Sequence, residues 1–186
     1  MPRVSPDHLE ARRQQILDGA RAAFARHGYE GATVRVLEEE IGLSRGAIFH
    51  HFADKDAVFI ALAGQDAAEM AATVAREGLV RVMRDMIAAP DAGWLGTQLE
   101  VSRRWRTDPR FRDVWAAQSA LVRAATRARL NRQREAGVLR RDVDVEVLAS
   151  YLELVLEGLV TRLAQGLPSA AMSAVLDVVE RSVRRN

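Results

Sequence analysis

Residues 33–57 read TVRVLEEEIGLSRGAIFHHFADKDA, and this stretch decides the fold. It predicts two short helices, because Thr33 and Ser44 are favourable N-caps and Gly42 lies where a tight turn would end the first helix. The second helix is predicted over residues 45–52. Two short helices joined by a turn of three or four residues that contains a glycine are typical of a helix-turn-helix motif.

The second of these helices has two different faces. Ala47, Ile48 and Phe52 are spaced to point inward, and the remaining positions form an outer face. In the major groove of DNA, Arg45 at the start of this face would donate to guanine O6 and N7. Gly46 would let the helix backbone approach the DNA closely. The pattern therefore favours a DNA-reading helix.

Eight residues are candidate DNA contacts. Hydroxyl, imidazole and ammonium groups at helix ends are suited to phosphates, and the outer face of the second helix is suited to base edges. The candidates are Thr33, Arg35, Ser44, Arg45, Gly46, Phe49, His50 and Lys55. The pattern alone leaves open an ordinary helical hairpin in which Phe49 packs against the following helix.

The rest of the chain shows helical spacing with no sustained period-two alternation, so we predict an all-α fold. Further helices are predicted over about residues 9–27, 55–77, 79–88, 94–106, 109–136, 145–165 and 170–184. This division gives a flexible tail over residues 1–8 and a three-helix helix-turn-helix domain over 9–54. A helical effector-binding and dimerisation domain follows over 55–186.

Composition excludes several classes of protein. The 27 basic and 25 acidic residues nearly balance, which is evidence against an architectural DNA-binding protein without sequence preference. The absence of cysteine excludes disulfides and zinc sites with sulfur ligands. The longest unbroken apolar stretch, residues 57–64, is far shorter than the roughly 18 residues of a membrane span. We predict a soluble cytoplasmic protein with no membrane partner.

Two C-terminal helices carry apolar stripes. The stripes are formed by Leu148, Leu152, Val155, Leu159 and Leu163 and by Met172, Val175, Leu176, Val179 and Val183. Such helices from two subunits can form a four-helix interface, or they can only close the core of their own chain. We favour a homodimer, because a single major-groove helix normally needs two half-sites.

Charged residues embedded in the apolar helices are candidates for a small-molecule effector site, because a buried charge is costly unless it pairs or binds a ligand. The candidates are Arg129, Glu180, Arg103, Arg106, Glu100 and Glu157, with Glu153 as a further carboxylate. The arginines would face an anion, and the carboxylates would orient them or hold a cation, with Glu180 as the metal-ligand candidate. The alternative for each residue is a solvated surface or an ion pair.

A carboxylate-metal enzyme in a helical bundle is the main alternative function. Its usual signature pairs Glu-x-x-His motifs on facing helices, and the sequence has none. All four histidines lie within the first 51 residues, so the larger helical region has no imidazole base. The segment from Gly42 to Gly46 is not a phosphate-binding loop, because it lacks the lysine of that motif. We therefore predict that the protein is not an enzyme and requires no cofactor.

Residues 24–57 resemble the N-terminal DNA-binding domain of the TetR family of bacterial regulators. The run F-x-x-x-G-Y-x-x-x-T, the turn G-L-S-x-G and the ending H-F-x-x-K occur together at the family's spacing. The resemblance covers about residues 10–60 and implies a sequence-specific regulator, a repressor whose operator affinity is changed by a small ligand. The family usually has tyrosine at the position of Phe49, so a hydroxyl bond to phosphate is missing here.

The resemblance extends beyond this domain. RGAIFHHF (45–52), LEVSRRWRTDPRF (99–111) and YLELVLEGLVTRLAQG (151–166) are similar to one branch of the family. That similarity implies control of a gene of central metabolism and an anionic effector, a tricarboxylate such as citrate, with or without a divalent cation such as Mg²⁺. It also implies a ligand role for Arg129 and Glu180.

Overall fold

The computed structural model describes residues 6–167 and 170–185. These residues form helices and no strand, which confirms the all-α prediction. The helices are α1 (Pro6–Gly31), α2 (Val34–Ile41), α3 (Arg45–His51), α4 (Lys55–Glu77), α5 (Leu79–Ala88), α6 (Ala92–Thr107), α7 (Pro109–Glu135), α8 (Val145–Ala164) and α9 (Met172–Val183).

Local caps set the boundaries of the helix-turn-helix. Thr33 Oγ1 accepts a hydrogen bond from Val36 N at 3.3 Å, and Ser44 Oγ accepts one from Ala47 N at 3.4 Å. Gly42 has a φ of 73° and ends α2 in the left-handed region that favours glycine. The predicted pair of short helices is confirmed, with α3 ending one residue earlier than predicted.

The predicted stop at Gly28 is a break within α1 rather than its end. Gly28 has a φ of 68° and a ψ of 172°, and a further turn continues to Gly31. The Tyr29 ring is buried in this turn, 5.7 Å from the Phe24 ring centre and 5.3 Å from that of Phe59. Packing of this aromatic cluster stabilises the extra turn.

The structure consists of two compact units. The first contains the chain up to Gln65 together with α6, and the second contains residues 66–91 and the chain from Asp108 onward. The predicted boundary at residues 54 and 55 does not match this division, because α6 packs against α1 and α4 contributes to both units. Residues 6–8 of the predicted tail are helical, and residues 1–5 lie outside the described residues.

The core of the first unit lies between the inner faces of its helices. Its buried apolar residues include Ile16, Leu17 and Phe24 of α1, Leu37 and Ile41 of α2, Ile48 of α3 and Val58, Phe59 and Leu62 of α4. Each such side chain contributes about 1.5–3 kcal/mol when fully buried. The short α2 and α3 therefore depend on packing against α1 and α4 rather than on their own helix propensity.

A buried arginine ties α6 to the first unit. Arg104 donates to Asp56 Oδ1 at 2.9 Å, and its guanidinium carbon lies 4.6 Å from the Tyr29 ring centre. The Tyr29 hydroxyl donates to the same carboxylate, and burial together with this acceptor raises the pKa of Tyr29. The sequence pattern did not predict this cluster, because its members are far apart in the chain.

The core of the second unit contains most of the apolar stripes of the two C-terminal helices. Leu148, Leu152 and Leu159 of α8 and Leu176, Val179 and Val183 of α9 are buried within the chain's own core. For these residues, the alternative that the stripes close the core of their own chain is confirmed. Val175 of the predicted α9 stripe is exposed instead, together with three apolar residues outside the stripes: Val147, Leu154 and Val178.

One described helix, α4, is long and apolar enough to cross a membrane by length and composition alone, contrary to the expectation from unbroken apolar stretches. Its mean hydropathy over the best window is 1.2, and Val58, Leu62 and Val74 on it are buried in the protein. Core packing therefore accounts for these three apolar side chains of α4.

The closest helix contact in the first unit generates a stability prediction. A Cβ added at Gly19 of α1 would lie 2.7 Å from both Cα and Cγ1 of Ile41 in α2. We expect Gly19→Ala to lower the free energy of unfolding by about 1–3 kcal/mol, because overpacking against backbone outweighs the gain in helix propensity.

Urea denaturation of the full chain measures this effect. Gly46→Ala is the matched control, because a Cβ there meets no atom within 4 Å. Equal stability of Gly19→Ala and wild type would show that α1 and α2 do not pack this closely.

Candidate nucleic-acid interface and anion cavity

The helix α3 has the two faces that its spacing predicts. Ile48 is fully buried, whereas Arg45, Gly46 and His50 are exposed and Phe49 is partly exposed. Gly46 has ordinary helical backbone and no protein neighbour near its missing Cβ. Since glycine weakens a helix by about 1 kcal/mol relative to alanine, the fold itself gives no reason for glycine at this position.

A carboxylate of α2 fixes the start of α3. Glu38 Oε1 accepts a hydrogen bond from Arg45 N at 2.6 Å, in addition to the Ser44 cap. The Arg45 guanidinium has no partner within the part of the chain that the structure describes. The helix start is therefore anchored, and the Arg45 side chain is available for an external acceptor.

The candidate DNA contacts at the edges of the helix-turn-helix differ in whether they already bind other groups of the protein. The Thr33 and Ser44 oxygens accept backbone hydrogen bonds as caps, and their hydroxyl protons remain available as donors. Arg35 forms an exposed ion pair with Glu39 at 3.0 Å. A surface pair of this kind is weak, so Arg35 can exchange Glu39 for a phosphate.

Lys55 has contacts within the protein that the sequence did not predict. Its ammonium donates to the Tyr29 carbonyl at 2.9 Å and lies 4.2 Å from the Tyr29 ring centre. These contacts hold the turn after Gly28 in place. Lys55 therefore has a structural role, and its contact with a DNA phosphate stays a prediction, because two protons of the ammonium remain available.

The second unit contains a cavity of about 280 Å³. Leucine and valine side chains form part of its wall, and its charged lining residues are Glu77, Arg81, Arg84, Arg129, Glu180 and Arg184. The two residues that the sequence analysis put first, Arg129 and Glu180, thus line the same cavity. Arg84 and Arg184 were not among the predicted residues. The i,i+4 spacing of Glu180 and Arg184 could have indicated their pair, whereas Arg84 is far from Glu180 in the chain.

Arg129 differs from the other cavity arginines. Arg81 pairs with Asp85, and Arg84 and Arg184 pair with Glu180. Arg129 instead donates to the carbonyl oxygens of Ala75 and Arg76, at 3.2 and 2.7 Å, in the last turn of α4. Among the described residues, Arg129 is therefore the cavity arginine without a carboxylate partner.

Gly78 makes room for this arginine. Its φ of 91° lies in the left-handed region, and a Cβ there would lie 2.6 Å from Arg129 Nε. The junction between α4 and α5 therefore needs glycine both for its backbone conformation and for the close approach of Arg129.

Glu180 lies between two guanidinium groups. It accepts from Arg84 Nη2 at 2.8 Å and from Arg184, and the hydrogen bond from Arg84 lowers the pKa of Glu180 despite partial burial. Within the described ranges no group of three potential metal ligands is found. The residues around Glu180 therefore do not fit a preformed metal site, because a cation would have to displace two arginines.

The other four effector candidates lie elsewhere. Arg103 donates to Glu100 on α6, and Arg106 is exposed on the same helix in the first unit. Glu157 is exposed on α8. None of these four lines the cavity, so we limit the candidate effector residues to Arg129 and Glu180.

A helix-turn-helix with an open polar face, joined to a helical unit with an arginine-lined cavity, defines the class of ligand-responsive DNA-binding regulators. Residues 16–62 match the model of the bacterial regulatory proteins of the tetR family. The chain belongs to the TetR family of bacterial transcriptional regulators.

Relatives along the whole chain support this assignment. The HTH-type transcriptional repressor Rv1474c of Mycobacterium tuberculosis is 59% identical over 100% of both chains. The HTH-type transcriptional repressor AcnR of Corynebacterium diphtheriae is 54% identical over 99% of this chain and 97% of its own. The similarity of residues 45–52, 99–111 and 151–166 to one branch of the family is thereby confirmed, and this branch includes the repressors named AcnR.

Solved structures agree on the fold. A transcriptional regulator from Saccharomonospora viridis in complex with choline has a TM-score of 0.77, with 23% identity over 95% of this chain and 99% of its own. The relatives and the family are regulators, which confirms that this protein is not an enzyme.

The different surroundings of Arg45 and Lys55 lead to a testable contrast. Arg45→Ala should weaken binding to specific DNA by about 1–3 kcal/mol and relax preference at one base position, with an unchanged melting temperature. Lys55→Met should lower the melting temperature, because the Tyr29 carbonyl loses its donor.

Fluorescence anisotropy with an operator selected from random duplexes, together with thermal melts, measures both effects. Arg112→Ala, an exposed change on α7, is the control for both measurements. If Arg45→Ala weakened binding to all duplexes equally, Arg45 would contact only phosphate and would not read a base.

Proposed function

We propose that this protein is a homodimeric repressor that reads a pseudo-palindromic operator with α3 and changes its operator affinity when a small anionic metabolite binds the second unit. The observation that carries the proposal is the coexistence of an open reading face on α3 and an arginine-lined cavity in one chain. The full-length relatives are named as transcriptional repressors, which supports repression. We expect the protein in the cytoplasm, because its proposed partner is operator DNA.

The exposed apolar residues of α8 and α9 support the dimer. Val147 and Leu154 are seven residues apart on α8, and their exposures are 58% and 68%. Val175 and Val178 are three residues apart on α9 and are also exposed. Each pair shares one helix face, so two copies of these helices would bury both faces in a four-helix interface.

The cavity supports an anion of the di- or tricarboxylate class as effector. A volume of about 280 Å³ matches a small metabolite, and Arg129 offers a guanidinium with no carboxylate partner among the described residues. Paired guanidinium–carboxylate hydrogen bonds are stronger than bonds to neutral carbonyls. An anion in the cavity would therefore draw Arg129 away from the end of α4.

Movement of Arg129 from the carbonyls of α4 to an anion would connect the cavity to DNA binding. The helix α4 is continuous from Lys55, directly after the helix-turn-helix, to Glu77 beside Arg129. Loss of the Arg129 contacts to Ala75 and Arg76 would free the last turn of α4. We include citrate as the first effector to test, and a divalent cation would enter as part of the citrate complex, because Glu180 is occupied by arginines.

The dimer proposal predicts the effect of a charge on α8. We expect wild type to have the mass of a dimer by light scattering at micromolar concentration. Leu154→Glu should give monomers, because an unpaired charge would be buried at the interface. Val114→Glu, at an exposed position on α7, should remain dimeric. A monomeric wild type would refute the proposal.

The effector proposal predicts a pattern in calorimetric titrations with citrate. Arg129→Gln should bind citrate at least tenfold more weakly, a loss of about 1.4 kcal/mol, because the cavity loses its unpaired cation. Arg103→Gln and Arg106→Gln should bind as wild type does, because both lie outside the cavity. Magnesium should strengthen citrate binding and give no heat when titrated alone.

Two outcomes count against this effector. No heat with citrate at millimolar concentration, in the presence or absence of magnesium, would exclude citrate. Unchanged citrate affinity in Arg129→Gln would place the anion elsewhere and leave Arg129 as a structural cap of α4.

A further inference from the structure

A basic groove lies in the second unit, where the loop after α7 meets the end of the chain. We use this name for the groove lined by five arginines, Arg140, Arg141, Arg181, Arg184 and Arg185. The groove has a volume of about 630 Å³, and Asp142, Val178 and Ser182 complete its wall. Val178 also belongs to the exposed apolar face of α9, so the groove borders the proposed dimer interface. The helix-turn-helix contributes no residue to it.

The backbone holds these like charges together. Leu139 and Arg184 form an antiparallel bridge, with Arg140 N donating to Val183 O at 3.1 Å and Arg185 N donating to Val138 O at 2.9 Å. The Arg140 guanidinium also donates to Ser182 O at 2.9 Å. The segments on both sides of the groove are therefore fixed beside each other in spite of their charge.

Only two of the five charges are neutralised by carboxylates of the described chain. Arg140 donates to Asp142 Oδ1 at 2.8 Å, and this bond lowers the pKa of Asp142 to about 2. Arg184 donates to Glu180.

The guanidinium groups of Arg141, Arg181 and Arg185 are exposed and have no hydrogen bond or ion pair within residues 6–167 and 170–185. These three charges exceed the net charge of +2 of the whole chain. The groove is thus a local excess of positive charge on a nearly neutral protein.

We propose that the basic groove binds a small phosphorylated anion that carries three or more negative charges. Guanidinium groups pair with phosphate oxygens through two parallel hydrogen bonds, and one phosphoryl group carries more charge than one carboxylate. The volume of the groove lies in the range of small-molecule sites, roughly 300–1,000 Å³.

The basic groove and the effector cavity are different sites that share one lining residue. Arg184 lines both, and Glu180, which accepts from Arg184, lines the cavity. A phosphorylated anion in the groove competes with Glu180 for Arg184. The inference does not depend on the identity of the effector, because Arg129 has no part in the groove.

Calorimetric titration of the full chain with tripolyphosphate tests the proposal. We expect saturable binding of one tripolyphosphate per chain, and at least tenfold weaker binding by the triple variant Arg141→Gln/Arg181→Gln/Arg185→Gln. The charge-matched control is Arg110→Gln/Arg112→Gln/Arg162→Gln, which removes three exposed arginines of the same unit outside the groove. The control and Arg129→Gln should bind as wild type does.

Each other outcome overturns the proposal. Absence of saturable binding by wild type would show a merely solvated surface, and equal weakening by both triple variants would show a diffuse charge effect. Loss of binding in Arg129→Gln alone would place tripolyphosphate in the effector cavity. Weaker binding of a random DNA duplex by the groove variant, with unchanged tripolyphosphate binding, would identify the groove as a nucleic-acid contact.

Discussion

Burial of the inner face of α3 is the constraint on which the rest of the structure depends. Ile48 is fully buried and Phe52, at the end of α3, is nearly so, and this packing fixes the rotation of α3 about its axis. The rotation in turn presents Arg45 and Gly46 to the outside, while Glu38 anchors the helix start. A helix of seven residues has little stability of its own, so the core supplies the energy and the outer face is left for DNA.

A second constraint operates at the other end of α4. The Arg129 guanidinium donates to the carbonyls of the last turn of α4, and the proposed anion in the cavity would compete for it. The positive φ of Gly78 and the close approach of Arg129 both favour glycine at this position. The helix α4 begins directly after the helix-turn-helix and ends beside Arg129, so we propose that it transmits the effect of the anion.

Local chemistry explains which features could be predicted from sequence. The caps at Thr33 and Ser44 and the helix stop at Gly42 depend on neighbours within four residues, and all three are confirmed. The contact of Lys55 with Tyr29 was not predicted, because Tyr29 is distant in the chain. The pairing of α6 with the first unit rests on Arg104 and Asp56, and charge patterns along one helix do not reveal such partners. Arg129 and Glu180 were favoured by family resemblance, and their shared cavity became visible only in three dimensions.

We propose that the anion site and the DNA face are energetically coupled. Thermodynamic linkage requires the coupling to be reciprocal. The most direct measurement therefore compares two ratios: the citrate affinity of the free protein over that of the protein saturated with its selected operator, and the operator affinity without citrate over that with saturating citrate. We expect the two ratios to be equal and to differ from one, about tenfold for a coupling of roughly 1.4 kcal/mol. Identical citrate affinity in free and operator-bound protein would contradict the coupling.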